Sequence, residues 1–153
     1  MIGLFPWIRS VLLLAIGTAY VTDILAEQSL PLGNHSMNVT LTFESGEVAK
    51  VELDDTGTSR DFVRLLPLRL ELRDYAATEK IADLPGRLDT ADAPEGYRPS
   101  AGDLAYYAPW GNLAIFHKPF SYSSGLIRLG RLTTPVEPIR RKGSVNVVIA
   151  ISK

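Results

Sequence analysis

The sequence predicts a mainly β domain, an antiparallel barrel or sandwich of about eight short strands with two short helices. Three observations carry this. Several segments alternate apolar and other residues with a period of two, Gly and Pro turns separate them, and nothing in the order of segments has the strand–helix–strand rhythm of a parallel sheet. Length and charge agree with one domain: 153 residues leave no room for two full ones. Sixteen Lys+Arg against 17 Asp+Glu give a net charge of −1, so no electrostatic field draws the chain to nucleic acid or to an anionic bilayer. The absence of cysteine excludes disulfides, thiolate metal sites and a cysteine nucleophile.

The first residues read as an address rather than as fold. Met1 to Ile8 is apolar, Arg9 supplies one positive charge, and Ser10 to Thr22 carries no charge before Asp23. Val11 to Val21 is short for a bilayer span of about 20 residues and suits the apolar centre of a signal peptide, roughly 7 to 15 residues long. Ala19 and Ala26 both offer a small residue for cleavage, and Ala26 is better placed after the apolar run. The expectation is a signal peptide over residues 1–26, a flexible lead-in over 27–36 and a barrel domain over 37–152. An uncleaved signal anchor is the alternative and would be the only tie to a membrane. Either way the folded part is expected in the periplasm or outside the cell.

Val39, Leu41 and Phe43 alternate with Thr40 and Thr42, the pattern of a half-buried strand. A three-residue loop Glu44-Ser45-Gly46 sets Leu41 against Ala49, Val39 against Val51 and Met37 against Leu53; a two-residue loop would put Lys50 and Glu52 on the core face. Thr58 and Asp61 read as a capping box for a short helix with Phe62, Leu65 and Leu66 on one face, stopped by Pro67. Strands follow at Leu68 to Arg73 and Glu79 to Leu84, then a turn-rich segment from Gly86 to Gly102 and a strand at Asp103 to Tyr107. Asn112 to His117 is nearly all apolar and is expected to be buried on both faces. After a strand at Leu126 to Leu132, Thr134 or Glu137 is expected to cap a short helix running to Arg141, with Gly143 ending it. In the last strand Val145, Val147, Ile149 and Ile151 point one way.

The stretch EGYRPSAGDLAYYAPWGNLAIFHKPFSYSSGLIRLGRL, Glu95 to Leu132, together with TSRDFVRLLPLRLELRDYAATEKIADLP upstream, resembles a family of small, mostly bacterial cyclophilin-like proteins of unassigned activity. The resemblance covers essentially Met37 to Ile151. It implies a closed eight-stranded antiparallel barrel of the cyclophilin type with two short capping helices, at Thr58 to Leu66 and near Pro135 to Arg141. It does not carry proline isomerase activity with it. True cyclophilins use a Phe-His-Arg segment, a Gln-Gly-Gly-Asp segment and a Gly-Ser-Gln-Phe-Phe strand, and none of the three is present. Gly111 to Phe116 stands in place of the last, and only Arg87 or Arg98 could replace the missing guanidinium.

Tyr97, Tyr106, Tyr107, Trp110, Phe116 and Tyr122 concentrate aromatic rings in one window, as a peptide groove would. Tyr106 and Tyr107 must face opposite sides of their strand, so only one of them lines the interior. The leading expectation is a monomeric module binding an extended peptide or small ligand with Arg87, Tyr97, Tyr107 and Trp110. The rival is a weak proline isomerase using Arg87 or Arg98, and a third reading is an accessory domain without a small ligand. His117 has no second imidazole at ligand spacing, so neither a metal nor another cofactor is expected. Asp103 and Glu79 could act as paired acids, but single acids of this kind more often satisfy turn amides. Arg140-Arg141-Lys142 reads as a helix C-terminus rather than as a nucleic-acid patch.

If the leader is removed after Ala26, intact-mass measurement of the protein recovered from its producing cells finds Glu27 at the N-terminus. Recovery of Met1 in the membrane fraction would make the segment an anchor instead.

Overall fold

The first hairpin shows how alternation becomes register. In the computed structural model, which describes residues 37–153, β1 (Met37–Phe43) pairs antiparallel with β2 (Val48–Leu53). Met37 faces Leu53, Val39 faces Val51 and Leu41 faces Ala49, as the three-residue loop predicts. Gly46 N donates to Phe43 O at 2.9 Å, Phe43 N donates to Glu47 O at 2.9 Å, and Gly46 takes φ +85°, a conformation that costs an L side chain free energy. The leader and lead-in, residues 1–36, lie outside the described residues.

The remaining elements are α1 (Gly57–Arg64), β3 (Leu68–Tyr75), β4 (Glu79–Asp83), β5 (Gly96–Tyr97), β6 (Asp103–Tyr107), β7 (Asn112–Phe116), β8 (Ser123–Ser124), β9 (Leu126–Leu132), α2 (Glu137–Arg140) and β10 (Val145–Ile151). Eight strands close into a barrel in the order β1-β10-β3-β4-β7-β6-β9-β2, with every neighbouring pair antiparallel. Closure leaves these strands no free edge. β5 and β8 form a separate two-stranded ladder within segments that sequence patterning leaves as turns.

A bulge explains why β9 does not alternate. Leu104 pairs with Gly130 but Ala105 pairs with Arg128, so Leu129 is the extra residue on β9. Ile127, Leu129 and Leu132 are thereby all buried in the main core, at a spacing of two and then three. The Leu129 carbonyl accepts from Asp54 N at 2.8 Å and from Ser59 Oγ at 2.9 Å, which ties α1 to the barrel wall.

Both helices differ from their predicted caps. Thr56, not Thr58, is the N-cap of α1: its Oγ1 accepts from Ser59 N at 3.1 Å, while Thr58 is itself buried. Asp61 accepts from Asp89 N at 2.8 Å instead of closing a capping box. In α2 the N-cap is Val136, with no side-chain cap; Thr134 accepts from Lys50 N at 3.1 Å, and the helix stops one residue before Arg141. Packing decides in each case, because Phe62 from α1 and Ile139 from α2 are completely buried in the barrel core. Burying each such side chain stabilises by about 1.5–3 kcal/mol, against about 1 kcal/mol for a cap. In β10 Val147 and Ile149 are buried as predicted, but Ile151 is exposed, because pairing with β3 ends at Ile149 and leaves Ile151 a neighbour on β1 only.

Two polar features secure the β3–β4 end. Lys80, fully buried, donates to Asp74 and to Gly143 O at 2.6 Å, and Asp74 accepts from Gly143 N at 2.6 Å. These contacts hold the Asp74 carboxyl below the usual carboxylate range, Lys80 being the larger cause. The turn between the strands puts Ala76 at φ 48° and Ala77 at φ 56°, with Thr78 N donating to Tyr75 O at 3.2 Å. Two consecutive left-handed residues suit Asn or Gly, and an alanine there costs about 1–2 kcal/mol. Ala77 is exposed, so Ala77→Gly loses no packing. We expect it to raise the urea midpoint with an unchanged slope, stabilising by about 0.5–1 kcal/mol after the glycine entropy cost.

Candidate functional site

β7 is buried on both faces, as its composition predicts. Leu113 and Ile115 pack in the main core, while Ala114 and Phe116 belong to a second apolar cluster with Ala105 and Leu126 on the outer side of the wall. All five residues of β7 are at most 3 % exposed. Over this outer cluster lies a hollow of about 230 Å³, lined among others by Tyr75, Glu79, Tyr107, Trp110, Asn112 and Phe120.

Trp110 is the prominent wall. Its side chain is 56 % exposed, yet the turn that carries it is fastened from several directions. Arg87 Nη1 donates to Ala108 O at 2.7 Å, Gly111 N donates to Tyr107 O at 2.9 Å, and Ala108 N donates to Gly125 O at 2.9 Å. Gly125 is at φ +78°, and a Cβ there would stand 2.7 Å from Pro109 Cδ, so only glycine lets this segment lie against the Pro-Trp-Gly turn. The indole meets Tyr75 and Tyr107 edge-on, with centroids 5.5 and 5.3 Å apart and planes at 90° and 80°.

Glu79, Asn112 and Ser123 are the polar non-aromatic residues of the hollow. Glu79 is 8 % exposed, and its carboxylate accepts from the Thr78 hydroxyl. Burial pushes the Glu79 carboxyl above its ordinary value, and the Thr78 bond offsets part of that. Asn112 is 2 % exposed, and its buried Oδ1 has no hydrogen-bond partner.

Of the residues expected to form a binding face, the structure brings Tyr107 and Trp110 to this hollow and places the other two elsewhere. Tyr97 lines a different hollow of about 290 Å³, with Asp54, Thr56, Asp89, Asp92 and Arg128. Burial pushes its hydroxyl pKa up, with the charge of Asp103 second. Arg128 is committed to Asp54 at 2.7 Å. Arg87 supports the Trp110 turn from behind through backbone carbonyls, and Arg98 is exposed. Neither arginine lines the Trp110 hollow, so the guanidinium that proline isomerisation would need is not placed there. The Gly86 to Gly102 segment is tacked down at Leu88, whose N–H donates to Tyr106 Oη at 3.2 Å inside the core. Tyr106 is 1 % exposed and Tyr107 lines the outer hollow, the opposed facing that strand geometry requires.

Of the other candidates, Asp103 and the basic run are engaged in the fold, whereas the buried His117 Nδ1 has no hydrogen-bond partner. Asp103, 1 % exposed, accepts from Ser100 N at 2.8 Å and from Arg131 Nε at 2.9 Å, a turn and sheet role distinct from Glu79. Arg141 pairs with Glu47, and Arg140 with Glu137. His117 is buried, and desolvation first, then Lys118 and Lys80, push its pKa down. Among the described residues no three His, Cys, Asp or Glu side chains are grouped to hold a metal ion, and no helix is long and apolar enough to cross a membrane. Sequence reading passed over Tyr75, Asn112 and Phe120 as site residues and weighed Glu79 as one of a pair of acids with Asp103 or, more often the case, as a turn acid. The available signal was the register: Glu79 is an acid paired across the sheet with Tyr75 and Phe116, one strand step from Ile81.

The fold is of one class, a closed eight-stranded antiparallel barrel with two short helices. Residues 41–150 match the cyclophilin-like family, and the chain belongs to it. It is similar in fold to the solution structure of the hypothetical protein AF2241 from Archaeoglobus fulgidus, at 17 % identity and a TM-score of 0.58, over 76 % of this chain and 95 % of that one. No curated protein matches.

The raised Glu79 pKa has a consequence for stability. Between the ordinary value of 4.5 and the raised one, the folded state holds more protons than the unfolded state, so stability falls as pH rises through that window and stays reduced at neutral pH. Glu79→Gln is expected to raise Tm at pH 7, with the gain disappearing below about pH 4.5, where both states are protonated. A lower Tm at pH 7 would show that the carboxylate stabilises the fold.

Proposed function

We propose that this protein is an exported, monomeric binding module that takes an extended peptide on the outer face of its barrel, at the hollow walled by Trp110 and Tyr107. The observation that carries this reading is the grouping of exposed rings. Tyr75, Trp110 and Phe120 are half of the six exposed large hydrophobic residues among those described, and all three line one hollow. Scattered apolar residues on a surface need no explanation, whereas a contiguous set fastened over a concavity is what a binding site requires. The rigidity of the Trp110 turn adds to this, because a wall already held in place loses little conformational entropy when a ligand arrives.

The size of the hollow argues for a side chain as its occupant. At about 230 Å³ it lies below the roughly 300–1,000 Å³ that accommodates drug-sized molecules. An extended chain passing over the surface and inserting one side chain matches that volume. Export rests on the N-terminal residues alone, through the Arg9, Val11 to Val21 and Ala26 layout.

Calorimetric titration of the full-length chain with a panel of unstructured peptides tests the reading. Binding that weakens at least tenfold in Trp110→Ala, at unchanged Tm, supports it. Affinities unaffected by Trp110→Ala would separate the rings from any binding.

A further inference from the structure

The chemistry inside the hollow is one-sided. Glu79 presents a carboxylate with a single hydroxyl partner, and beneath the surface the Asn112 amide oxygen is sealed with none. Neither is open to bulk water, since Glu79 is 8 % and Asn112 2 % exposed. A buried carboxylate ordinarily sits beside a cation, yet no Lys, Arg or His lines this hollow. Lys80, next in sequence, is committed to Asp74 and the Gly143 carbonyl. Apart from Ser123 the remaining walls are apolar or aromatic, with Trp110 meeting Tyr75 and Tyr107 at near right angles. Such rings attract a cation through their electron-rich faces. One carboxylate, several aromatic walls and no resident cation are complementary to one kind of guest, a small group that is positively charged, carries N–H donors and has an apolar stem.

We infer that the hollow takes a protonated alkylamine, presented as the side chain of a lysine in the bound peptide, with its ammonium donating to Glu79 and its methylenes against the rings. This rests on the reading that the hollow is a peptide site and names the side chain it selects. The lysine stem is narrow enough for a space of about 230 Å³, and it buries its methylenes while its head finds hydrogen bonds. The stability cost of holding Glu79 at this position fits the same assignment, because an acid kept in an apolar hollow against the preference of the fold is retained for what it binds.

The test is calorimetric titration of the full-length chain at pH 7 with three probes: a doubly capped Gly-Gly-Lys-Gly-Gly peptide, its norleucine counterpart, and n-butylammonium. The lysine peptide is expected to bind ten- to a hundredfold more tightly than the norleucine peptide, the range that one charge-assisted hydrogen-bond set supplies. Glu79→Gln, with folding confirmed by its melting curve, is expected to abolish that preference. Norleucine binding as tightly as lysine, or a preference surviving in Glu79→Gln, would overturn the ammonium assignment and leave the peptide reading standing. Failure of both peptides to bind would overturn the peptide reading itself. n-Butylammonium matching the lysine peptide would assign the guest to a free amine, and the peptide part of the proposal would fall.

Discussion

Closure of the barrel is the constraint from which the site follows. Once β2 meets β1 there is no free barrel edge, so a partner cannot join these eight strands by adding one of its own. The interior offers no space either: Leu41, Leu72, Leu104, Ile115, Leu129 and Ile149 are completely buried within it. What remains is the outside of the wall. Because successive residues of a strand face opposite sides, a strand that is apolar throughout must be covered twice. β7 is such a strand, and on its outer side Ala114 and Phe116 pack with Leu126 of β9, Ile81, Tyr97 and Tyr107. The hollow lies over this outer cluster.

The hollow is not only apolar. A wall optimised for stability would place an aliphatic residue at position 79, between Tyr75 and Phe116 on the adjoining strands. The chain instead holds a carboxylate there with one hydroxyl partner, and an unpartnered amide oxygen at Asn112. Buried polar groups are nearly always satisfied, so two under-satisfied acceptors beside one hollow stand out more than either would alone. The strained Ala76–Ala77 turn adjoins the same place, and Ala76 lines it. The under-satisfied Glu79 and the left-handed Ala76 thus meet at one location, the kind of local departure from the most stable arrangement that functional sites show.

Sequence patterning was most informative where a single interaction range decides. The β1–β2 register followed from alternation plus one loop length, since any slip by one residue would have turned Lys50 and Glu52 into the core. The double burial of β7 followed from composition. Patterning was least informative where a distant partner competes with a local preference. Thr58 has a good cap signature, but α1 starts earlier because Ser59 bonds to a bulged residue 70 positions away. The β5–β8 ladder joins two-residue strands 26 positions apart, too short to show a period. Tyr97 and Trp110 lie in one aromatic window of the sequence, yet β6 and β9 lead them to different hollows.

By itself the sequence determined which segments form the eight barrel strands, most of their apolar faces, and membership in the cyclophilin-like family, because these rest on contacts between near neighbours and on a long run of matching residues. Periodicity left barrel and sandwich open; the family resemblance implied the closed barrel, and the structure has it. Tertiary structure alone decided that Glu79 and Asn112 join Tyr107 and Trp110 in one hollow, while Arg87 turns away to the backbone. The physical reason is that a side chain's environment is set by whichever strands flank its own, and in a closed antiparallel barrel those flanking strands come from remote parts of the chain.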